Sequence, residues 1–107
     1  MSLQAKYDNF QQTIESLNTK IVQLHAQADE HAVVLETLKE VPAERRCYRM
    51  IGGSLVELRA GEASKVLAEN LQGMKSTTEK LTEELKTQQK QFLDWKEKNN
   101  IKIVKAN

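Results

Sequence analysis

Arg46-Cys47-Tyr48-Arg49-Met50-Ile51, then Gly52-Gly53, then Ser54-Leu55-Val56-Glu57-Leu58 is the stretch from which the fold can be read. Two short strand-like runs meet at a Gly-Gly pair. A two-residue hairpin turn needs positive φ at both central positions, which glycine adopts without a Cβ clash. The spacing predicts a β-hairpin over about 45–59. Pairing about the glycines sets Met50 opposite Leu55. Because side chains alternate along a strand, Tyr48, Met50 and Leu55 then share one face, and Cys47, Ile51, Val56 and Leu58 the other. Both faces carry apolar side chains, and a two-stranded hairpin cannot bury both of its own faces. Other chains must cover it, most simply by extending the sheet. These seven residues are the expected assembly interface.

On either side of the hairpin the period changes from two to three and a half. Stepping alternately four and three residues from Leu3 gives Tyr7, Phe10, Ile14, Leu17, Ile21, Leu24, Ala28, His31, Leu35 and Leu38, with only His31 polar. Five heptads of this kind place one apolar stripe along a helix and call for a coiled-coil partner. Pro42 ends the run, since its ring removes a backbone donor and disfavours helical geometry at Val41 before it. A second, weaker stripe runs Leu67, Leu71, Met74, Thr78, Leu81, Leu85, Gln88, Phe92, Trp95, Asn99 and Lys102. Gly73 interrupts that helix, and the expected start lies between Gly61 and Ser64. Folding back about Gly52-Gly53 puts Leu38 opposite Leu67, Leu24 opposite Leu81, Phe10 opposite Trp95 and Leu3 opposite Lys102. The predicted class is mainly α: a long antiparallel two-helix coiled coil with a central β-hairpin. The expected order is a single domain over 1–107, with helix 1 about 3–40, the hairpin, helix 2 about 62–99 and a short tail over 100–107.

Composition agrees with helices rather than a globule. Of 107 residues, 39% are hydrophobic and 29% charged, with one Pro and four Gly. A net charge of +1 gives no global pull toward nucleic acid or an acidic membrane. No apolar run approaches the roughly 20 residues that cross a bilayer. The first residues, Met-Ser-Leu-Gln-Ala-Lys, lack the apolar core of a secretory leader. The single cysteine, Cys47, cannot close an intrachain disulfide, which favours a reducing compartment. The expectation is a cytoplasmic protein that binds neither nucleic acid nor membrane.

Cys47-Tyr48-Arg49-Met50-Ile51-Gly52-Gly53, followed by Leu55-Val56-Glu57, resembles the hairpin signature of the β-class prefoldins. The lead-in Asp29–Lys39 and the ending Trp95-Lys96 with Asn100-Ile101 are similar to that family too, so the resemblance spans nearly the whole chain. It implies a subunit of a hetero-hexamer, two α-class and four β-class chains, whose hairpins join into a double β-barrel platform. It further implies that both chain ends form a tip that holds unfolded polypeptide, actin and tubulin included, and passes it to the cytosolic chaperonin. Ser54 departs from the pattern, where relatives tend to carry a small apolar residue; a hydroxyl buried there would need a partner.

Candidate residues divide by place. The client-binding set is Leu3, Tyr7, Phe10, Phe92, Trp95, Ile101, Ile103 and Val104. The aromatic members fit either of two roles, coiled-coil core or a grip on exposed client segments. Ile101, Ile103 and Val104 have no stripe opposite them, which favours exposure. Residues 90–107 carry Lys90, Lys96, Lys98, Lys102 and Lys105 against Asp94 and Glu97, either a solvated face or a basic end that steers acidic partners. His25 and His31 lack helical metal-ligand spacing, and Cys47 has no partner residues for nucleophilic chemistry. Gly52-Gly53 lacks the spacing and the following Lys-Ser/Thr of a phosphate loop. No catalytic residue, metal or cofactor is expected. Two other classes compete with the chaperone reading: a purely structural coiled-coil spacer or tether, and a nucleic-acid-binding helical hairpin. A spacer would have no use for an apolar hairpin at its centre, and near-neutral charge disfavours the third.

Overall fold

The computed structural model describes residues 2–101. Element order is α1 (Leu3–Lys39), β1 (Arg46–Ile51), β2 (Ser54–Arg59) and α2 (Ala60–Lys98). The expected class is the one that forms: mainly α, with an antiparallel two-stranded hairpin between two long helices. The chain divides into two units, each described on its own. Unit 1 joins the described residues up to Val22 with those from Glu79 onward, and unit 2 is Gln23–Thr78.

In α1 the covered residues are the stripe and nothing else. Tyr7, Phe10, Ile14, Leu17, Ile21, Leu24, Ala28, His31, Leu35 and Leu38 are shielded in whole or part, and every other residue of the helix is exposed, Leu3 included. That pattern follows from geometry, because a helix against one partner hides one residue in each 3.5. In α2 the stripe from Leu67 to Trp95 is shielded in the same way, and Asn99 is exposed. The burial is shallow. Leu17, Ala60 and Ala63 are the buried hydrophobic residues, and no large side chain among those described is fully enclosed. The accessible surface is 8372 Å², against roughly 6100 Å² for a globular monomer of this mass.

Two polar stripe residues, Thr78 and His31, bond to the backbone of their own helix. The buried Thr78 hydroxyl donates to the Met74 carbonyl at 2.8 Å. His31 Nδ1 lies 2.9 Å from the Gln27 carbonyl oxygen, so Nδ1 is the protonated ring nitrogen. Both bonds return to the helix's own preceding turn.

The hairpin register is Cys47 with Leu58, Tyr48 with Glu57, Arg49 with Val56, Met50 with Leu55 and Ile51 with Ser54. Gly52 (φ 55°) and Gly53 (φ 83°) both sit in the left-handed region, as a type I′ turn requires. Ser54 is exposed, so its hydroxyl reaches water and needs no protein partner.

The α1–β1 connection does more than reverse the chain. Pro42 cannot extend the helix, and its carbonyl accepts from the Arg45 amide at 3.0 Å to close a turn. The Arg45 carbonyl then accepts from the Ala60 amide at 2.8 Å, and the Ala43 carbonyl from the Gly61 amide at 2.9 Å. Two of the amides that a helix start leaves unpaired are thus satisfied by the loop. For that reason α2 begins at Ala60, directly on the end of β2, rather than at a side-chain cap between Gly61 and Ser64. A Cβ on Gly61 would stand 3.3 Å from the Ala43 Cβ, so the loop approaches as closely as it does because position 61 is bare.

Gly73 is different. It is exposed in mid-helix, and a Cβ there would meet nothing within 4 Å. Replacing Gly73 by Ala should therefore raise stability by roughly 0.5–1 kcal/mol through helix propensity alone. Denaturant unfolding of the full-length chain followed by circular dichroism measures it; a loss of stability would mean that a bare backbone at 73 serves a contact.

Candidate interaction surfaces

Unit 1 ends in an aromatic cluster. Phe10 stacks on Phe92 with ring centroids 5.2 Å apart, and Tyr7 meets Phe92 edge-on at 5.4 Å. Trp95 lies 5.6 Å from Phe10 and 6.5 Å from Tyr7. Each such pair contributes about 0.5–1.5 kcal/mol beyond area burial. Phe10 and Trp95 thus come together as their stripe positions predict. All four rings are half-buried, so the cluster serves as core while keeping part of its surface open. Lys96 Nζ sits 4.3 Å above the Phe92 ring, so one of the lysines counted toward a basic end is engaged by a ring face.

An open cleft of about 960 Å³ runs beside the cluster, floored by Leu3, Phe10 and Trp95 and rimmed by Lys6, Asp94, Glu97 and Lys98. Its rim carries both signs of charge. Leu3 and Leu93 are each 53% exposed. Leu93 is absent from the sequence-derived set because it lies off the stripe; its signal was an apolar residue next to Phe92 with no heptad reason to be there.

Ile101 is half-buried rather than free, because a cap folds it back. Asn100 has φ 52°. The Asn100 amide donates to the Glu97 carbonyl at 3.3 Å, and the Ile101 amide to the Lys96 carbonyl at 2.9 Å. This pair of bonds around a left-handed residue is a Schellman motif. Asn99 adds a side-chain bond from Nδ2 to the Trp95 carbonyl at 2.9 Å. At the other end of the chain, the Ser2 hydroxyl accepts from the Ala5 amide at 3.0 Å and caps α1. Ile103 and Val104 lie outside the described residues, as do Lys102 and Lys105.

In unit 2 the two hairpin faces are not equivalent. Cys47 and Leu58 are partly shielded and line a cleft of about 210 Å³ with Val34, Leu38, Ala63, Val66 and Leu67, and Tyr48 and Arg49, both exposed, border it. The opposite face is bare: Tyr48 is 64%, Met50 65% and Leu55 66% exposed. Ile51 and Val56, toward the turn, are exposed as well. Arg46 and Glu57 form an ion pair at 3.2 Å beside Tyr48 on the bare face. Of the seven expected interface residues, two are partly shielded and five are exposed.

Among the described residues no group of three or more His, Cys, Asp or Glu lies close enough to hold a metal ion. No described helix is long and apolar enough to cross a membrane.

A family model described as "Prefoldin subunit" matches residues 1–106. The chain belongs to the prefoldin subunit family. It is 41% identical to prefoldin subunit 2 of Saccharomyces cerevisiae over 102 residues, 95% of this chain and 92% of that one. It is 35% identical to prefoldin subunit 2 of Homo sapiens, covering 94% of this chain and 65% of the relative's length. A probable prefoldin subunit 2 of Schizosaccharomyces pombe is 32% identical, with 96% and 90% covered. Among solved structures, the prefoldin beta subunit from Thermococcus strain KS-1 shares the fold, with TM-score 0.53, 18% identity, and 84% and 85% of the two chains covered. The prefoldin resemblance read from the hairpin therefore holds, and with it the chaperone and protein-folding roles that follow from the family.

The cap at the end of α2 yields a prediction for this prefoldin subunit. Asn100→Val places a β-branched residue at positive φ and should loosen the last turn by about 1–2 kcal/mol, whereas Asn100→Gly should preserve it. Hydrogen exchange of the Trp95–Lys98 amides measures the difference; equal protection in both variants would mean that the cap holds nothing.

Proposed function

We propose that this prefoldin subunit joins a hetero-hexamer of two α-class and four β-class chains through its hairpin. It captures unfolded polypeptides, actin and tubulin among them, on the open end of unit 1, and passes them to the cytosolic chaperonin in the cytoplasm. The observation that carries the reading is where large apolar side chains remain exposed. Leaving aside Val22, Val33 and Val34 on α1, those among the described residues fall on the hairpin or beside the aromatic cluster.

The two places suit different binding. Apolar side chains on a two-stranded sheet with both edges open fit a permanent partner that continues the sheet. The cleft over Leu3, Phe10 and Trp95 is open and mixed in charge at its rim, which fits weak contact with many sequences. Apolar area covered by a client is worth roughly 25 cal/mol per Å², little at one tip. Several tips acting on one chain multiply that through effective concentration. A spacer would bury its stripe to the end and would leave neither place uncovered.

Assembly is tested by Met50→Asp with Val56→Asp. Both positions are exposed in this chain, so the subunit should fold. Burying two carboxylates in a shared sheet costs several kcal/mol, and co-purification of partner subunits should be lost. Survival of the complex would place the platform elsewhere.

Client capture is tested at exposed positions, Leu3 at the uncovered start of the α1 stripe and Leu93 off the α2 stripe. Complexes carrying Leu3→Ser with Leu93→Ser should assemble normally but need about twice the concentration to suppress aggregation of a denatured client, since one tip of several is weakened. A second chain, ended after Ile101, retains the Asn100 cap and removes Ile103 and Val104; it should lower suppression in the same way. Equal suppression by both variants in intact complexes would leave this subunit an architectural role.

A further inference from the structure

The strands carry three arginines and one carboxylate, Glu57. Two of the guanidinium groups are occupied within the chain. Arg46 is paired with Glu57 at 3.2 Å, and Arg59 Nη1 donates to the Glu44 carbonyl at 3.1 Å. Arg49 makes no ion pair or hydrogen bond among the described residues, and it is exposed. It stands directly opposite Val56, on the hairpin face that carries Ile51 toward the turn and Cys47 and Leu58 toward the helices, and it borders the cleft that those two line. Its apolar neighbours Ile51 and Val56 are themselves uncovered.

This arrangement restricts what can cover the face. A partner that buries Ile51 and Val56 also strips water from Arg49. A buried guanidinium without a counter-charge costs more than the surrounding apolar contact returns. Its planar fork of donors is matched best by a carboxylate bound through both oxygens. A second copy of this hairpin cannot supply one. Its strands offer only Glu57, already bound to its own Arg46, and they bring another unpaired Arg49. Like charges brought together in a sheet oppose pairing.

We infer that Arg49 selects the neighbouring subunit: the chain that seats against Ile51 and Val56 is a different polypeptide whose hairpin presents an Asp or Glu to this guanidinium. The inference rests on the reading of the hairpin as the assembly interface and adds to it the identity class of the neighbour. Apolar contact then supplies adhesion, and the carboxylate supplies the choice between a foreign chain and a second copy of this one.

The test uses complexes purified through the full-length subunit, with cross-linking mass spectrometry to name the chain lying against residues 49–56. Arg49→Glu should keep its helicity, because the side chain is exposed, and should weaken retention of that neighbour by roughly thirtyfold or more. Arg49→Lys, a point charge without the fork, should fall between. Reversing the neighbour's carboxylate to Arg should restore assembly with the Arg49→Glu chain. Unchanged assembly of Arg49→Glu, beside loss with Met50→Asp and Val56→Asp, would overturn the role of Arg49 while leaving the hairpin as the interface. Cross-links from residues 49–56 to a second copy of this chain would overturn it as well. Unchanged assembly in all of these variants would instead remove the interface reading itself.

Discussion

A helix laid against a single partner helix can hide one stripe of its surface, and in α1 the covered residues are that stripe alone. From this constraint the rest of the molecule follows. With so few side chains withdrawn from water, and none of the large ones fully, the chain gains little from its own core. Conformational entropy lost on ordering 37- and 39-residue helices must be offset elsewhere. The hairpin, left bare on one face and at both edges, is where further burial is available. With assembly through the hairpin as proposed, folding and assembly become one process, divided between the stripe and the sheet.

The same economy explains the aromatic end. Large flat rings cover more area per residue than leucine, and four of them together hold the last turns of unit 1 closed where the α2 stripe turns polar at Asn99. A fully buried cluster would leave a client nothing to touch, and a fully exposed one would not hold the helices. Half-burial of Tyr7, Phe10, Phe92 and Trp95 fits the core role and leaves surface open for the proposed one. The two roles that the sequence left open for these rings are thus compatible.

What could be read from residues alone was whatever depends on local periodicity. The α1 stripe, the pairing of Met50 with Leu55 and the two positive-φ glycines all follow from spacing. So does the meeting of Phe10 and Trp95, which needs only that the register run on from the hairpin. Features set by contacts between distant residues were not legible. The start of α2 at Ala60 depends on carbonyls of Ala43 and Arg45, some fifteen residues earlier, and no propensity encodes that. Alternation showed that both hairpin faces are apolar, but Cys47 and Leu58 differ from Met50 and Leu55 only because Val34, Leu38, Val66 and Leu67 lie against one side. The cap at Asn100 lies between. Asparagine tolerates positive φ, so Asn99-Asn100-Ile101 was a stop signal that the stripe, running on to Lys102, concealed.

The contact between Gly61 and Ala43 acts as a fulcrum. Arg59 leads without a spacer into α2, so the angle at which the hairpin leaves the helix is set where the Pro42–Arg45 turn touches the first residues of α2. Six strand residues at about 3.3 Å each put the Gly52-Gly53 turn roughly 20 Å from that point. A shift of a few tenths of an ångström, such as a methyl group at position 61 would force on Ala43, is multiplied along that arm. If the hairpins of several subunits close into a ring, as the proposed assembly requires, an angular error in one member cannot be absorbed locally, because the last strand must still meet the first. On that reading, the hydrogen atom at position 61 sets the tolerance to which such a ring can be closed.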